Sequence, residues 1–218
     1  MAGRHLTEHG AAGLSLRAVA RELAMSSSAV YRYFASRDEL LTALIIDAYD
    51  DLGARVWRAE SKVDRHDHHG RWMAAGRAVR RWALRHPQQY ALVYGSPVAG
   101  YKAPEDTIGP ALRTTAVFVA IVHDAAAAGA LDAPGPDDAL PAPVAADLGP
   151  LTDDLFAGVP APVVARAIVA WTAVFGLVSF ELGGQYQNVI EHRDAFFDHA
   201  ISGLAASVGL PTERPLEP

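Results

Sequence analysis

Two short helical stretches joined by a three-residue turn constrain this chain more than any other feature. Ser15 precedes Leu16-Arg17-Ala18-Val19-Ala20-Arg21-Glu22-Leu23, whose apolar positions 16, 19, 20 and 23 recur at the three-and-four spacing of one helical face. The chain then turns through Ala24-Met25-Ser26, and Ser26 is placed to cap a second helix running to Phe34. Ser36, followed three residues later by Glu39, has the form of a capping box and opens a longer helix expected from Arg37 to about Glu60.

The rest of the sequence also reads as helical, with no convincing alternating strand and no internal repeat. Asp64 to Gly70 reads as a polar loop, Arg71 to Arg85 as a helix, and Pro87 to Tyr94 as a short helix whose proline suits a first helical position. Gly95-Ser96-Pro97 and Gly100 make a bend, and Glu105 to Ala128 is expected to be helical with Gly129 as its stop. The segment from Pro134 to Pro162 holds seven prolines and is expected to be mostly loop. Two final helices follow, from about Val163 to Leu182 and from Arg193 to Val208, ahead of a proline-rich tail.

With 218 residues, half of them apolar, the chain can bury a sizeable core as a small head on a larger body. It has no cysteine, which excludes disulfides and thiolate metal sites and points to no oxidising compartment, so a cytoplasmic address is the expectation. The apolar stretch from Val163 to Leu182 carries Arg166 and Glu181 and is not read as a membrane span. A net charge of −6 argues against a nucleic-acid partner only as an average. From Met1 to Arg37 five arginines face two glutamates, a local excess of about +3, and phosphate attraction is felt over roughly 10 Å at cellular salt.

The helix pair has the spacing of a helix-turn-helix whose second helix enters the major groove, although a pair of packed core helices is the plain alternative. In Ser26-Ser27-Ser28-Ala29-Val30-Tyr31-Arg32-Tyr33-Phe34 the small hydroxyl residues can approach base edges, while Tyr31, Arg32 and Tyr33 can bond phosphates. The run from Gly10 through Ser15-Leu16-Arg17-Ala18-Val19-Ala20, Leu23, Ser26, Ser28, Val30-Tyr31-Arg32-Tyr33-Phe34 and Ser36-Arg37-Asp38-Glu39-Leu40 resembles the DNA-binding signature of the tetracycline-repressor (TetR) family. The resemblance implies a small core of Leu16, Val19, Leu23, Val30, Phe34 and Leu40, with Ser15, Tyr31 and Arg37 where the family touches phosphate. Ser27, Ser28 and Arg32 are the candidates for base or groove contacts, with Arg17, Ser26, Tyr33 and Ser36 at the margin of the same surface. Arg37 stands where the family usually has lysine. Ala24 stands where it usually has glycine, which costs about 1 kcal/mol if that residue must be left-handed. Family members begin their first helix well before this chain's Met1 to His9 segment, which implies either a start further upstream or a reduced head.

Arg81-Trp82-Ala83-Leu84-Arg85-His86-Pro87, Tyr90-Ala91-Leu92-Val93-Tyr94-Gly95-Ser96-Pro97 and Gly100-Tyr101 resemble the C-terminal domain of TetR-like regulators, implying a ligand-binding and dimerisation region. The expected architecture is therefore all-α: a three-helix DNA-binding head over residues 1–45 on a helical bundle over residues 46–210, paired as a two-fold homodimer on a double-stranded DNA operator. Dimerisation is expected from the final two helices. In one, Val164, Ile168, Trp171, Phe175, Val178 and Leu182 form a seam, and in the other Phe197, Ile201, Leu204 and Val208 do. The alternative is that one seam faces its own domain. A small, mainly hydrophobic effector is expected among Trp82, Tyr90, Tyr94, Tyr101, Phe118, Trp171 and Phe175, with Tyr90, Tyr94 and His123 as polar anchors, though any one of these aromatics taken singly reads as core. No cofactor or metal is expected. His66-Asp67-His68-His69 reads better as a solvated loop than as a metal site, and no catalytic motif occurs. The alternative is a helical small-molecule-binding protein or enzyme whose helix pair is purely structural.

Overall fold

The computed structural model of the chain describes residues 15–22, 26, 30–132, 135 and 138–211, with the backbone alone for residues 18, 19 and 22. Among the described residues every regular element is helical. Helices α1 (Leu16–Glu22), α2 (Arg37–Glu60), α3 (His68–Arg85) and α4 (Pro87–Tyr94) are followed by a 3-10 turn (Glu105–Thr107), which leads into α5 (Ile108–Ala127). Helices α6 (Ala142–Asp153), α7 (Ala161–Leu182) and α8 (Arg193–Val208) complete the order.

The structure departs from the sequence expectation at α3, α7 and α6, each for a local reason. Helix α3 begins at His68 because the Asp67 carboxylate accepts the Gly70 N–H at 2.7 Å and the Asp67 carbonyl accepts the Arg71 N–H at 2.9 Å, which caps the helix inside the expected loop. Helix α7 begins at Ala161, with Pro162 in its first turn, where a missing N–H is harmless. The proline-rich segment contains a helix rather than loop throughout: in α6, Pro143 lies in the first turn, Pro150 is tolerated inside, and Leu148 is the buried anchor. A count of prolines misleads there because position within the helix decides their effect.

The chain divides into two compact units that are discontinuous in sequence: residues 1–54 with 82–113, and residues 55–81 with 114–218. In the first unit Leu16, Ala20, Val30, Leu40, Leu41 and Ile45 form a buried core, against which Phe34, Leu44, Tyr49, Leu92, Val93, Val98 and Tyr101 pack. The segment after α3 thus completes the core of the N-terminal helices. Trp82 is buried beside them, its indole N–H donating to Asp51 at 2.8 Å. Gly95 ends α4, donating its N–H to the Ala91 carbonyl at 3.0 Å, and a Cβ there would collide with that same oxygen.

The second unit is organised on α7, which packs with α6 and α8. Val163, Val164, Ala167, Ala170, Val174, Phe175 and Val178 of α7 are buried, as are Phe197, Ile201, Ala205 and Val208 of α8. Helix α7 is long and apolar enough to cross a membrane by length and composition. Its role here is that of a core helix, and its Glu181 holds Arg80 in a two-pronged ion pair at 2.6 and 2.7 Å. Trp72 is fully buried and meets Phe118 edge-on, with ring centroids 5.0 Å apart. Helix α8 stops at Gly209, which is left-handed at φ 95°.

Candidate nucleic-acid interface and adjoining cavity

The N-terminal core is small, and the polar residues around it point outward. Leu16, Val30 and Leu40 are buried and Phe34 packs on them, whereas Ser15, Arg17, Ser26, Tyr31, Arg32, Tyr33 and Ser36 are exposed. Val19 and Leu23 of the expected core, the turn residues Ala24 and Met25, and the candidates Ser27 and Ser28 lie outside the described side chains. Tyr33 keeps 77% of its surface in solvent and Tyr31 45%, an uncommon position for large rings unless something else meets them.

Two backbone devices fix the edge of this surface. The Val30 carbonyl accepts N–H groups from both Tyr33 and Phe34 at 3.0 Å, which tightens and ends the second short helix there. The capping box forms at the start of α2, where Ser36 Oγ accepts the Glu39 N–H at 3.1 Å and the Glu39 carboxylate accepts the Ala35 N–H at 2.7 Å. Arg37, half-buried at that helix start, lies 3.7 Å from Asp38.

Directly beside the N-terminal core, within the same unit, is a cavity of about 470 Å³. Its walls come from α2 (Ile45, Tyr49), the end of α4 (Leu92, Val93), the bend at Gly95 to Ala103, and the approach to α5 (Thr107, Ile108, Ala111, Leu112). Six of these residues, Ile45, Tyr49, Leu92, Val93, Val98 and Tyr101, also belong to or pack on the N-terminal core. Tyr49 donates its hydroxyl to the Val93 carbonyl at 3.2 Å, and burial raises its pKa above the ordinary tyrosine value. Tyr101 meets the Thr42 hydroxyl at 2.9 Å.

The aromatic set expected to hold an effector does not converge on one place. Tyr101 lines the cavity. Trp82, Tyr90 and Tyr94 lie in the same unit but pack as core: Tyr90 and Tyr94 stack at 5.2 Å, Tyr94 meets Tyr49 edge-on at 6.0 Å, and burial pushes the Tyr94 phenol far up. Phe118, Trp171, Phe175 and His123 belong to the other unit, where Phe118 meets Trp72, Trp171 meets Phe175 at 5.0 Å, and His123 is exposed. Sequence reading missed Ile45, Tyr49, Val93, Val98, Thr107 and Leu112. The usable signal was the bend Gly95-Ser96-Pro97 with Gly100, which leaves space beside an apolar helix stripe.

The expected dimer seams are largely used inside the chain. Val164, Phe175, Val178, Phe197 and Ile201 are buried in their own unit, while Trp171, Leu182 and Leu204 are half-buried. The apolar side chains that α7 leaves in solvent are Ile168, Val169 and Phe180. Of the His66-Asp67-His68-His69 run, Asp67 caps α3, His68 is buried and His69 bonds Ser202 at 3.0 Å.

An all-helical fold whose N-terminal residues present an exposed polar edge fits the class of helix-turn-helix regulators. The family profile "Bacterial regulatory proteins, tetR family" matches residues 2–44, and "Tetracyclin repressor-like, C-terminal domain" matches residues 72–204. The chain is 46% identical over 188 residues to the HTH-type transcriptional regulator Rv1816 of Mycobacterium tuberculosis, spanning 84% of this chain and 78% of that protein. Among solved structures it is similar to the regulatory protein SCO4313, with TM-score 0.72 and 34% identity over 94% of this chain and 93% of that one. At the level of fold alone it is similar to the TetR family transcriptional regulator PfmR from Thermus thermophilus, with TM-score 0.59 and 16% identity over 98% and 97% of the two chains. The chain belongs to the TetR family and is a DNA-binding transcriptional regulator of helix-turn-helix type.

Proposed function

We propose that this regulator is a cytoplasmic repressor that binds a palindromic operator as a homodimer, with residues 1–45 reading DNA and residues 46–210 providing dimerisation and effector response. A small, mainly hydrophobic effector releases it. The protein works by binding, without catalysis, cofactor or metal. The observation that carries this reading is the shared wall between the cavity and the N-terminal core: Ile45 and Tyr49 lie on the helix that begins with Arg37, so an occupant touches the element that sets the head.

Ser15, Arg17, Tyr31, Arg32, Tyr33, Ser36 and Arg37 supply the phosphate-facing edge, and Ser26 with Ser27 and Ser28 the groove-facing one. Phosphate contacts set affinity and base contacts set preference. An effector acts only if it prefers the conformation in which the two heads no longer fit successive major grooves, because equal affinity for both conformations shifts nothing. The test is a titration of the full chain into a duplex selected from a random-sequence library, at several salt concentrations. Salt-dependent binding at a selected inverted repeat, two chains per site, is the expected result. A chain that shows no preference among duplexes and remains a monomer on them defeats the reading.

A further inference from the structure

None of the residues lining the cavity carries a charge, and its polar lining is confined to Tyr49, Ser96, Tyr101 and Thr107. Three of those four hydroxyls are already engaged within the protein. Tyr49 donates to the Val93 carbonyl at 3.2 Å, and Thr107 to the Pro104 carbonyl at 2.7 Å. Thr42 gives its single proton to the Asp38 carbonyl at 2.9 Å, so in the 2.9 Å contact between Thr42 and Tyr101 the donor is Tyr101. Tyr101 therefore has a free lone pair and no spare proton.

We infer that the cavity takes an uncharged, mainly apolar molecule bearing a bare hydrogen-bond acceptor such as a carbonyl, and that this acceptor takes the Tyr101 proton away from Thr42. A charged ligand would lose its hydration among walls that offer no counter-charge. A carbonyl must find a donor; Ser96 is exposed, where water competes for its hydroxyl, and the engaged hydroxyls differ in what they leave behind. Tyr49 holds the Val93 carbonyl at the end of α4, where such groups lack helical partners, and Thr107 is buried with its hydroxyl on the Pro104 carbonyl, which its own N–H also reaches at 3.1 Å. Thr42 is itself a hydroxyl that keeps its bond to the Asp38 carbonyl when Tyr101 leaves, so this exchange leaves no backbone group bare and costs little. Losing it frees the first turns of α2, which carry Arg37, from the bend that contains Tyr101. The link to DNA release rests on the repressor reading above; the ligand chemistry does not.

The test pairs calorimetry with DNA anisotropy on the full chain, using butyrophenone, its hydrocarbon counterpart butylbenzene and the carboxylate phenylbutyrate. Butyrophenone is expected to bind the wild type about tenfold more tightly than butylbenzene, the scale of one hydrogen bond, and to be the only one of the three that weakens binding to the selected duplex. Tyr101→Phe keeps the ring and is expected to erase the ketone's advantage. Thr42→Val is expected to keep or strengthen ketone binding, because the Tyr101 proton is then free, while uncoupling it from DNA affinity; thermal melts of both variants check that they fold. Equal binding of ketone and hydrocarbon by the wild type, binding of neither, or a ketone preference that survives Tyr101→Phe overturns the inference. A ketone preference lost in Tyr101→Phe, in a chain that binds no selected duplex, supports the ligand assignment and defeats the repressor reading instead.

Discussion

The Arg71 guanidinium, with none of its side chain exposed, donates to the Glu60 carboxylate at 2.6 Å, and Glu60 is almost as deeply buried. Arg71 also reaches Asp124 at 2.8 Å, and Arg65 bonds the same two carboxylates at 2.8 and 2.7 Å, so two cations and two anions neutralise one another. Removing one member of such a set leaves an uncompensated buried charge, which costs about 3–5 kcal/mol. Arg71→Met is therefore expected to lower stability by that amount in urea unfolding. Arg71→Met combined with Glu60→Leu, which leaves Arg65 paired with Asp124, is expected to cost less than the single change. A double variant that loses the sum of the two single losses would show that the pair does not act as a unit.

His68 is buried at the start of α3 beside this network, and its pKa is lowered from 6.5, first by burial and then by the Arg71 cation, with Asp124 opposing. Above 6.5 the ring is neutral in both folded and unfolded chains, and the stability associated with it is fully present. As pH falls below 6.5 the unfolded chain takes up a proton before the folded one, so stability declines until the lower folded-state value has been passed. Urea midpoints measured from about pH 7.5 to 5 should therefore fall more steeply for the wild type than for His68→Asn. Parallel curves for the two proteins would remove His68 from the acid response.

Arg37 stands at the first position of α2, next to the capping box, on the polar edge of the head. Arg37→Ala is expected to weaken binding to every duplex by a similar factor and to lower the salt slope by about one unit, as the loss of one phosphate contact without a base contact would, which is the role proposed for Arg37. Tyr33, with 77% of its surface exposed, tests the same edge by another route. Tyr33→Ala should change folding stability by less than about 0.5 kcal/mol, as surface changes usually do, while weakening DNA binding. Anisotropy against a selected and a scrambled duplex, with urea unfolding in parallel, separates the two effects.

What was legible in the sequence was local. Ser36 and Glu39 announce the start of α2, and the spacing of Leu16 and Ala20 announces one buried helix face, because caps and periodicity depend on residues a turn or two apart; that Val30 and Leu40 join them in one core was implied by the family resemblance. The cavity was not legible, since it depends on where the bend around Tyr101 comes to rest against Ile45 and Tyr49, and no spacing rule reaches across 59 residues from Thr42 to Tyr101. Aromatic residues misled for the same reason. Trp82 finds Asp51 and Phe118 finds Trp72, each satisfying a packing or hydrogen-bond need that the sequence does not display.

Helix α7 shows how periodicity can name a face without naming its partner. Of its expected seam, Val164, Phe175 and Val178 are buried in the chain's own core, while the seam's Ile168 stays in solvent together with Val169 and Phe180, Val169 with 67% and Phe180 with 56% of their surfaces exposed. Thr172 and Ser179 are exposed on the same helix, and no charged residue stands between Arg166 and Glu181. An uncharged helical surface with exposed apolar side chains and small neighbours suits close approach of a second copy around a two-fold axis. The proposed dimer is therefore expected to form on Ile168, Val169 and Phe180 rather than on the buried part of the seam. Val169→Glu places a charge on that surface and should convert the dimer to a monomer at micromolar concentration with little change in the thermal unfolding of the separated chain. Val178→Ala acts on the other face, where loss of buried volume should lower stability by about 1–3 kcal/mol while the chains still pair. Sedimentation velocity on both variants, with urea unfolding of each, decides it: a Val169→Glu chain that still sediments as the wild type does would move the interface elsewhere.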